Sequence, residues 1–220
     1  MFAIDHAATA LLVKRKYPAV SMAALLVSVQ AMEILWVAFN YAGLEQTTTE
    51  AEVRTVAGIH LAYMPFSHSV VAALTLAVLA WWIVAKGLKK PLVAWAVAIA
   101  ILSHLVLDLV THAPDIALAP GVERPKLGLG LYSRAPLVAF GVELVYGMVC
   151  WYVYRGSRAL LAVLVLFNVA NLSLFSAAIP GPEVFLAGKP LWIVTVIAAQ
   201  ILVTLLVVGM LSRPRRRARA

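Results

Sequence analysis

The stretch PLVAWAVAIAILSHLVLDLVTH, residues 91–112, decides what kind of molecule this chain forms. From Leu92 onward it is almost continuously aliphatic, and it matches the roughly 20 residues needed to cross a hydrocarbon core about 30 Å thick. It opens at Pro91, where a missing backbone N–H is harmless because the first helical turn leaves that donor unpaired. Five similar runs lie at about 19–43, 66–85, 135–154, 159–179 and 190–211. Pro136 and Pro190 open two of them, and Gly43, Gly87 and Gly156 lie at the ends of others.

Composition agrees with that reading. Apolar residues make up 63% of the 220 and charged residues 13%, against roughly 45–50% and 25% in an ordinary globular chain. A soluble fold is excluded. The sequence predicts an all-α, polytopic membrane helix bundle of about six transmembrane helices, one domain over residues 1–220 with no room for a soluble module. No repeat of 20–50 residues is present. The single Cys150 rules out an internal disulfide and any cysteine-based zinc or iron–sulfur site.

The net charge of +8 is a topology signal. On a six-span path, Lys14–Lys16, Lys86, Lys89, Lys90, Arg155, Arg158 and the five arginines of the tail share one side, thirteen of the eighteen basic residues. Six acids (Glu45, Glu50, Glu52, Asp115, Glu123 and Glu183) fall on the other. The positive-inside rule then predicts a multi-pass protein of the inner (plasma) membrane with both termini cytoplasmic. The basic tail, residues 212–220, is expected to attract anionic lipid headgroups, at about 1 kcal/mol per side chain. Nucleic acid is not an expected partner, because so short an arm has no accompanying fold. Residues 1–18 read as a retained N-terminal half-helix: too short to span, they enter the membrane part-way or lie along its face.

Ionisable groups inside apolar runs cost at least about 2.5–3.5 kcal/mol each at the bilayer centre and are functional by default. Here they are Glu33, His104, Asp108 and Glu143, with His68 and His112 toward span ends and the amides Gln30, Asn168, Asn171 and Gln200. A rise of about 1.5 Å per residue puts Glu33, His104, Asp108, Glu143 and Asn171 between about 16 and 24 Å from the basic side, one polar layer near mid-depth. In Ser103–His112, residues 104, 108 and 112 form a stripe on one helical face. His104 and Asp108, one turn apart, can ligate a common metal, whereas His112 lies about 12 Å along the axis from His104. Imidazole and carboxylate without thiolate suit Zn²⁺ first, then Mn²⁺, Fe²⁺ or Ni²⁺. All five histidines, at 6, 60, 68, 104 and 112, lie in or near this layer, and the last 108 residues contain none.

The segments DHAATALLVKRKYP (5–18), MPFSHS (64–69), SHLVLDLVTH (103–112) and PKLGLGL (125–131) resemble the YdjM-like membrane-bound metal-dependent hydrolases, a family distantly like zinc-dependent phospholipases C. The similarity covers roughly residues 4–135. It implies metal ligands at His6, Glu33, His68, His104 and Asp108. The chain departs from the family pattern in having a single Glu33 where relatives have paired aspartates, Tyr63 in place of a histidine, and Ser67 in place of a threonine. His60 is thereby unmatched, and the number of metals stays open.

The expected activity is metal-assisted hydrolysis of a lipid or phosphoester, with Glu33 and Asp108 as catalytic carboxylates, Glu33 completing a second metal or acting as base. His112, His60, Glu143 and Asp5 form a second tier, Glu143 as proton carrier or outer partner of a ligand. Serine hydrolysis fits poorly, because Ser67 and His68 are sequence neighbours and neighbours on a helix diverge by about 100°. PKLGLGL reads as a tight turn capping the site. The rival classes are an ion, proton or small-molecule transporter, a haem electron carrier and a non-catalytic membrane scaffold.

Overall fold

The computed structural model describes residues 1–122 and 124–212. Glu123 and the tail arginines, on which part of the charge asymmetry and the lipid-headgroup contact were argued, lie outside them.

The helices, in order, are α1 (Ala3–Lys16), α2 (Met22–Val29), α3 (Ala31–Tyr41), α4 (Val70–Trp82, prolonged by a π turn over Ile83–Gly87), α5 (Pro91–Thr111), α6 (Leu131–Arg134), α7 (Pro136–Tyr154), α8 (Arg158–Ala170) and α9 (Pro190–Leu211). Their starts are chemically marked. Ser21, Ser69 and Ser157 accept from the backbone N–H three residues on and cap α2, α4 and α8, while prolines open α5, α7 and α9. Two short antiparallel ladders decorate one end: β1 (Gln46–Thr49) with β2 (Ile59–Tyr63), and β3 (Ile116–Ala117) with β4 (Lys126–Leu127).

Among the described residues four helices are long and apolar enough to cross a membrane, namely α4 with its π turn, α5, α7 and α9. The pair α2 and α3, bent by 53°, makes a fifth span if taken as one. The run expected over about 159–179 is α-helical only through Ala170, and a 3-10 turn over Leu172–Phe175 follows. Thirteen residues of α8 reach about 20 Å. The expected six spans thus become four or five, with α8 a shorter partner.

α1, the expected N-terminal half-helix, enters the bundle and runs through its middle, packed against α2, α5, α7, α8 and α9. Nine of its fourteen residues are buried, including Ala7, Ala8 and Ala10. Between apolar helices in lipid, close approach of small side chains is what van der Waals packing can use. Gly147 of α7 continues that logic, since a Cβ there would come within 3.3 Å of Asp5 Oδ1. Around the second half of α1, Leu11, Leu25, Leu26, Val29, Ala96 and Leu160 form a dry core. At that end Tyr154 Oη donates to the Ser212 carbonyl at 2.6 Å, so the connection bearing Arg155 meets the end of α9, and Val13 and Tyr17, which flank Lys14–Lys16 at the end of α1, pack in the same cluster as Tyr154 and Leu211.

Enlarging a side chain on α1 should therefore disturb the whole bundle. Ala7→Leu is expected to lower stability by about 1–3 kcal/mol, whereas Val78→Leu on the lipid-facing side of α4 should stay within about 0.5 kcal/mol. Thermal unfolding of the two variants in one detergent compares them directly.

Candidate metal centre

Four elements converge where α1 crosses α5. His104 and Asp108 come from one face of α5, His6 from α1, His68 from the turn before α4, and Glu33 from the first turn of α3. The His104 Nε2 to Asp108 Oδ2 distance is 3.1 Å, His6 Nε2 to Asp108 Oδ1 is 3.2 Å, and His68 Nε2 to Asp108 Oδ2 is 3.8 Å. Ligands held about 2.0–2.1 Å from one ion sit no more than about 4.2 Å apart, so these spacings suit a shared cation. Donor atoms of His6, His104 and Asp108, and likewise of Glu33, His68 and His104, lie within 4.8 Å of one another.

These atoms are also unsatisfied. Nε2 of His6, His68 and His104 and Oδ2 of Asp108 are buried without a hydrogen-bond partner. Buried polar groups nearly always find partners, because leaving one unpaired costs about 1–3 kcal/mol. Four such atoms turned toward one another form a donor set of the chemistry that binds a zinc-type divalent ion. The Met1 amino nitrogen also reaches Asp108 Oδ1, at 2.6 Å, and Thr111 Oγ1, at 2.9 Å.

The outer nitrogens of His104 and His68 are held as those of metal-ligating histidines usually are, whereas His6 Nδ1 has no partner among the described residues. His104 Nδ1 donates to the Val29 carbonyl at 2.6 Å. That carbonyl is available because the helical ladder breaks at Gln30, the point where α2 turns into α3. Gln30 Nε2 in turn donates to the Ala3 carbonyl at 2.7 Å and ties the break to α1. His6 stacks on His104, with ring centroids 3.7 Å apart and planes 8° from parallel.

His68 corrects one expectation. Ser67 and His68 do touch, Oγ to Nδ1 at 2.8 Å, because residues 65–69 form a turn and not the helix assumed for them. Ser67 Oγ also donates to Glu45 Oε2 at 2.6 Å, and Glu45 Oε1 accepts the backbone N–H groups of Phe66 and Ser67, each at 2.8 Å. Burial pushes the Glu45 carboxyl above its ordinary range, against the pull of those donated bonds. Glu45 is the residue that sequence reasoning missed, having counted it only as an acid of the outer loop. Its one signal was its position just past the end of a span.

The second tier divides. His112, at the end of α5, has Nε2 3.8 Å from Asp108 Oδ1 and Nδ1 3.7 Å from Asp115 Oδ1. His60 sits half-exposed on β2 beside Glu50, at 3.5 Å. Glu143 accepts from Tyr132 Oη at 2.5 Å and from the Phe2 N–H at 3.3 Å, anchoring the start of α1. Asp5 takes a 3.3 Å bond from Asn168 Nδ2.

Beside the cluster lies a cavity of about 340 Å³, walled by Glu33, His112, Asp115 and Tyr132 and by the loop residues Ile59 and Glu183. The glycine-rich segment closes over the end of α5. Leu129 N donates to the Leu109 carbonyl and Gly130 N to the His112 carbonyl. Gly128, at φ 144°, presses so closely that a Cβ would stand 2.1 Å from the Ala113 carbonyl oxygen. Gly128→Ala should therefore destabilise by more than about 1 kcal/mol, and Gly121→Ala, also at positive φ but with open space around it, by less. Thermal unfolding of the two variants measures the difference.

Comparison with known proteins returns one result. No curated protein and no solved structure matches the chain. The family model of the YdjM inner membrane protein matches residues 65–179, just over half of the chain. That span carries His68, His104 and Asp108, while His6 and Glu33 precede it and reach the same point through the fold. With its apolar spans and this match, the chain is an integral membrane protein that belongs to the YdjM inner membrane protein family.

Proposed function

We propose that the protein is a metal-dependent hydrolase of the inner membrane, acting on a lipid or phosphoester. The observation that carries this reading is the convergence of His6, His68 and His104 Nε2 with Asp108 Oδ2, all buried and all without a partner. When bound, a zinc-type ion supplies Lewis acidity that acidifies water and polarises a phosphoryl or carbonyl oxygen.

The residues divide the work by position. His104 can give only one nitrogen, since Nδ1 is committed to Val29, yet both donor triads require it. A single ion drawing on His104 with His6 and Asp108 satisfies that limit, with His68 Nε2 beside it, 3.8 Å from Asp108 Oδ2. Glu33 alone among the five expected ligands lines the cavity and is only partly buried, so it is the group placed to take the proton of attacking water. Glu45 and Ser67 fix the His68 ring.

The rivals lose support from specific features. Imidazoles stacked at 3.7 Å leave no space for a porphyrin plane between them. The dry core around Leu11, Leu25, Ala96 and Leu160 separates the cluster from the basic end, which disfavours a conducting path. The basic connections gathered at that end support placing it on the cytoplasmic side, with the cavity opening opposite.

Elemental analysis of the purified full-length protein should find one equivalent of a zinc-type metal. His104→Ala and Asp108→Ala should each lose it, and retention of the metal in both would sink the assignment. Glu45→Gln should weaken metal affinity by about 10–100-fold. Glu33→Gln should keep the metal and slow hydrolysis of phosphoester and lipid substrates by about 10²–10⁴-fold.

A further inference from the structure

A second cavity, of about 380 Å³, lies between α8 and α9 against the first turn of α1. It shares Ala3, Ala170, Asn171, Val196 and Gln200 with the cavity beside the cluster, so the two spaces adjoin across these side chains. It exists because α8 stops at Ala170 while α9 runs on. Ala199, on its rim, is exposed and lies about 13 Å along α9 from Pro190, a depth occupied by hydrocarbon.

The lining changes character along its length. Toward the bilayer the walls are apolar, with Phe167, Ala199 and Val203 among them. At the junction Gln200 Nε2 donates to Asn171 Oδ1 at 3.0 Å, and beyond it the walls carry Glu33, His112 and Asp115. An apolar slot open to lipid, a single amide pair, then a polar chamber: that order matches a molecule with a hydrocarbon chain at one end and a polar headgroup at the other.

We propose that the cleft between α8 and α9 is a lateral portal holding one hydrocarbon chain of a membrane amphiphile whose headgroup occupies the chamber beside Glu33. This rests on the reading of the centre as hydrolytic and names the substrate class, a chain-bearing lipid and not a soluble phosphoester. The chain can come from a glycerophospholipid or from an isoprenoid phosphate, and both share the chemistry the cleft recognises.

The test is photolabelling, which needs no turnover. Full-length protein is reconstituted in phosphatidylglycerol vesicles carrying either a phosphatidylglycerol with a mid-chain diazirine or a diazirine-bearing polyprenyl phosphate, irradiated, and its labelled peptides mapped. Label from at least one probe should concentrate on residues 167–171 and 196–204, and the probe that labels identifies the source. Ala199→Phe, a change at an exposed position, should reduce that label to the level on the outer face of α4 without altering bound metal. Uniform label over all lipid-facing helices with both probes overturns the portal, even if hydrolysis is observed. Concentrated label in a protein that neither binds metal nor hydrolyses lipid keeps the portal and removes the hydrolytic reading.

Discussion

A carboxylate in the centre of an apolar bundle must be answered by nearby partners, and Asp108 sets that demand. It is 1% exposed, with four imidazoles and the Met1 amino group between 2.6 and 3.8 Å from its oxygens. An isolated buried charge is too costly to persist in hydrocarbon. The elements around Asp108 and its partner His104 are arranged to meet that demand. α1 is too short to cross alone, yet it fills the middle of the bundle, the position from which His6 meets Asp108. The α2–α3 pair breaks with no proline or glycine at the bend, because the Val29 carbonyl serves His104.

The same demand shapes the loop end. His68 sits in a turn before α4, where Ser67 and Glu45 can reach its outer nitrogen. On a continuous helix those contacts would be lost. The glycine segment then seals the end of α5, and only a residue without a side chain fits Gly128 against Ala113. Irregular backbone at membrane depth is tolerated where protein surrounds it, and here that backbone carries His68 and the Val29 carbonyl that holds His104.

Membrane character and the long helices were legible because hydropathy is a one-dimensional property: α5, α7 and α9 begin at the prolines that mark them in sequence. The shared depth of Glu33, His104 and Asp108 was legible too, since helical rise converts residue number into height. What sequence could not supply was azimuth and continuity. Nothing in residues 19–43 announces a break at Gln30, whose cause lies 75 residues away in His104. The length of α1 left open whether it enters the bundle or lies along a face, and its burial is decided by the alanines and Gly147 that let neighbours close around it. Glu45 was invisible as a partner because its role arises from a turn, and turns at span ends carry little periodic signal.

The bundle is closed at one end and open at the other, and that asymmetry lets a polar chamber sit at mid-depth. The core from Leu11 to Leu160 is dry, so a chamber reaching the cluster from the loop end does not join the two faces of the membrane. A lateral opening between α8 and α9 preserves that barrier, since it meets hydrocarbon and not water. Glu33 thus faces the chamber on the loop side, while the apolar cleft lies toward α8 and α9. A relay that moved ions across would need the opposite arrangement, a polar path continued past His104 toward Lys14. Instead α1 places Ala7, Ala10 and Leu11 there, all fully buried, and the polar layer ends one turn below His6.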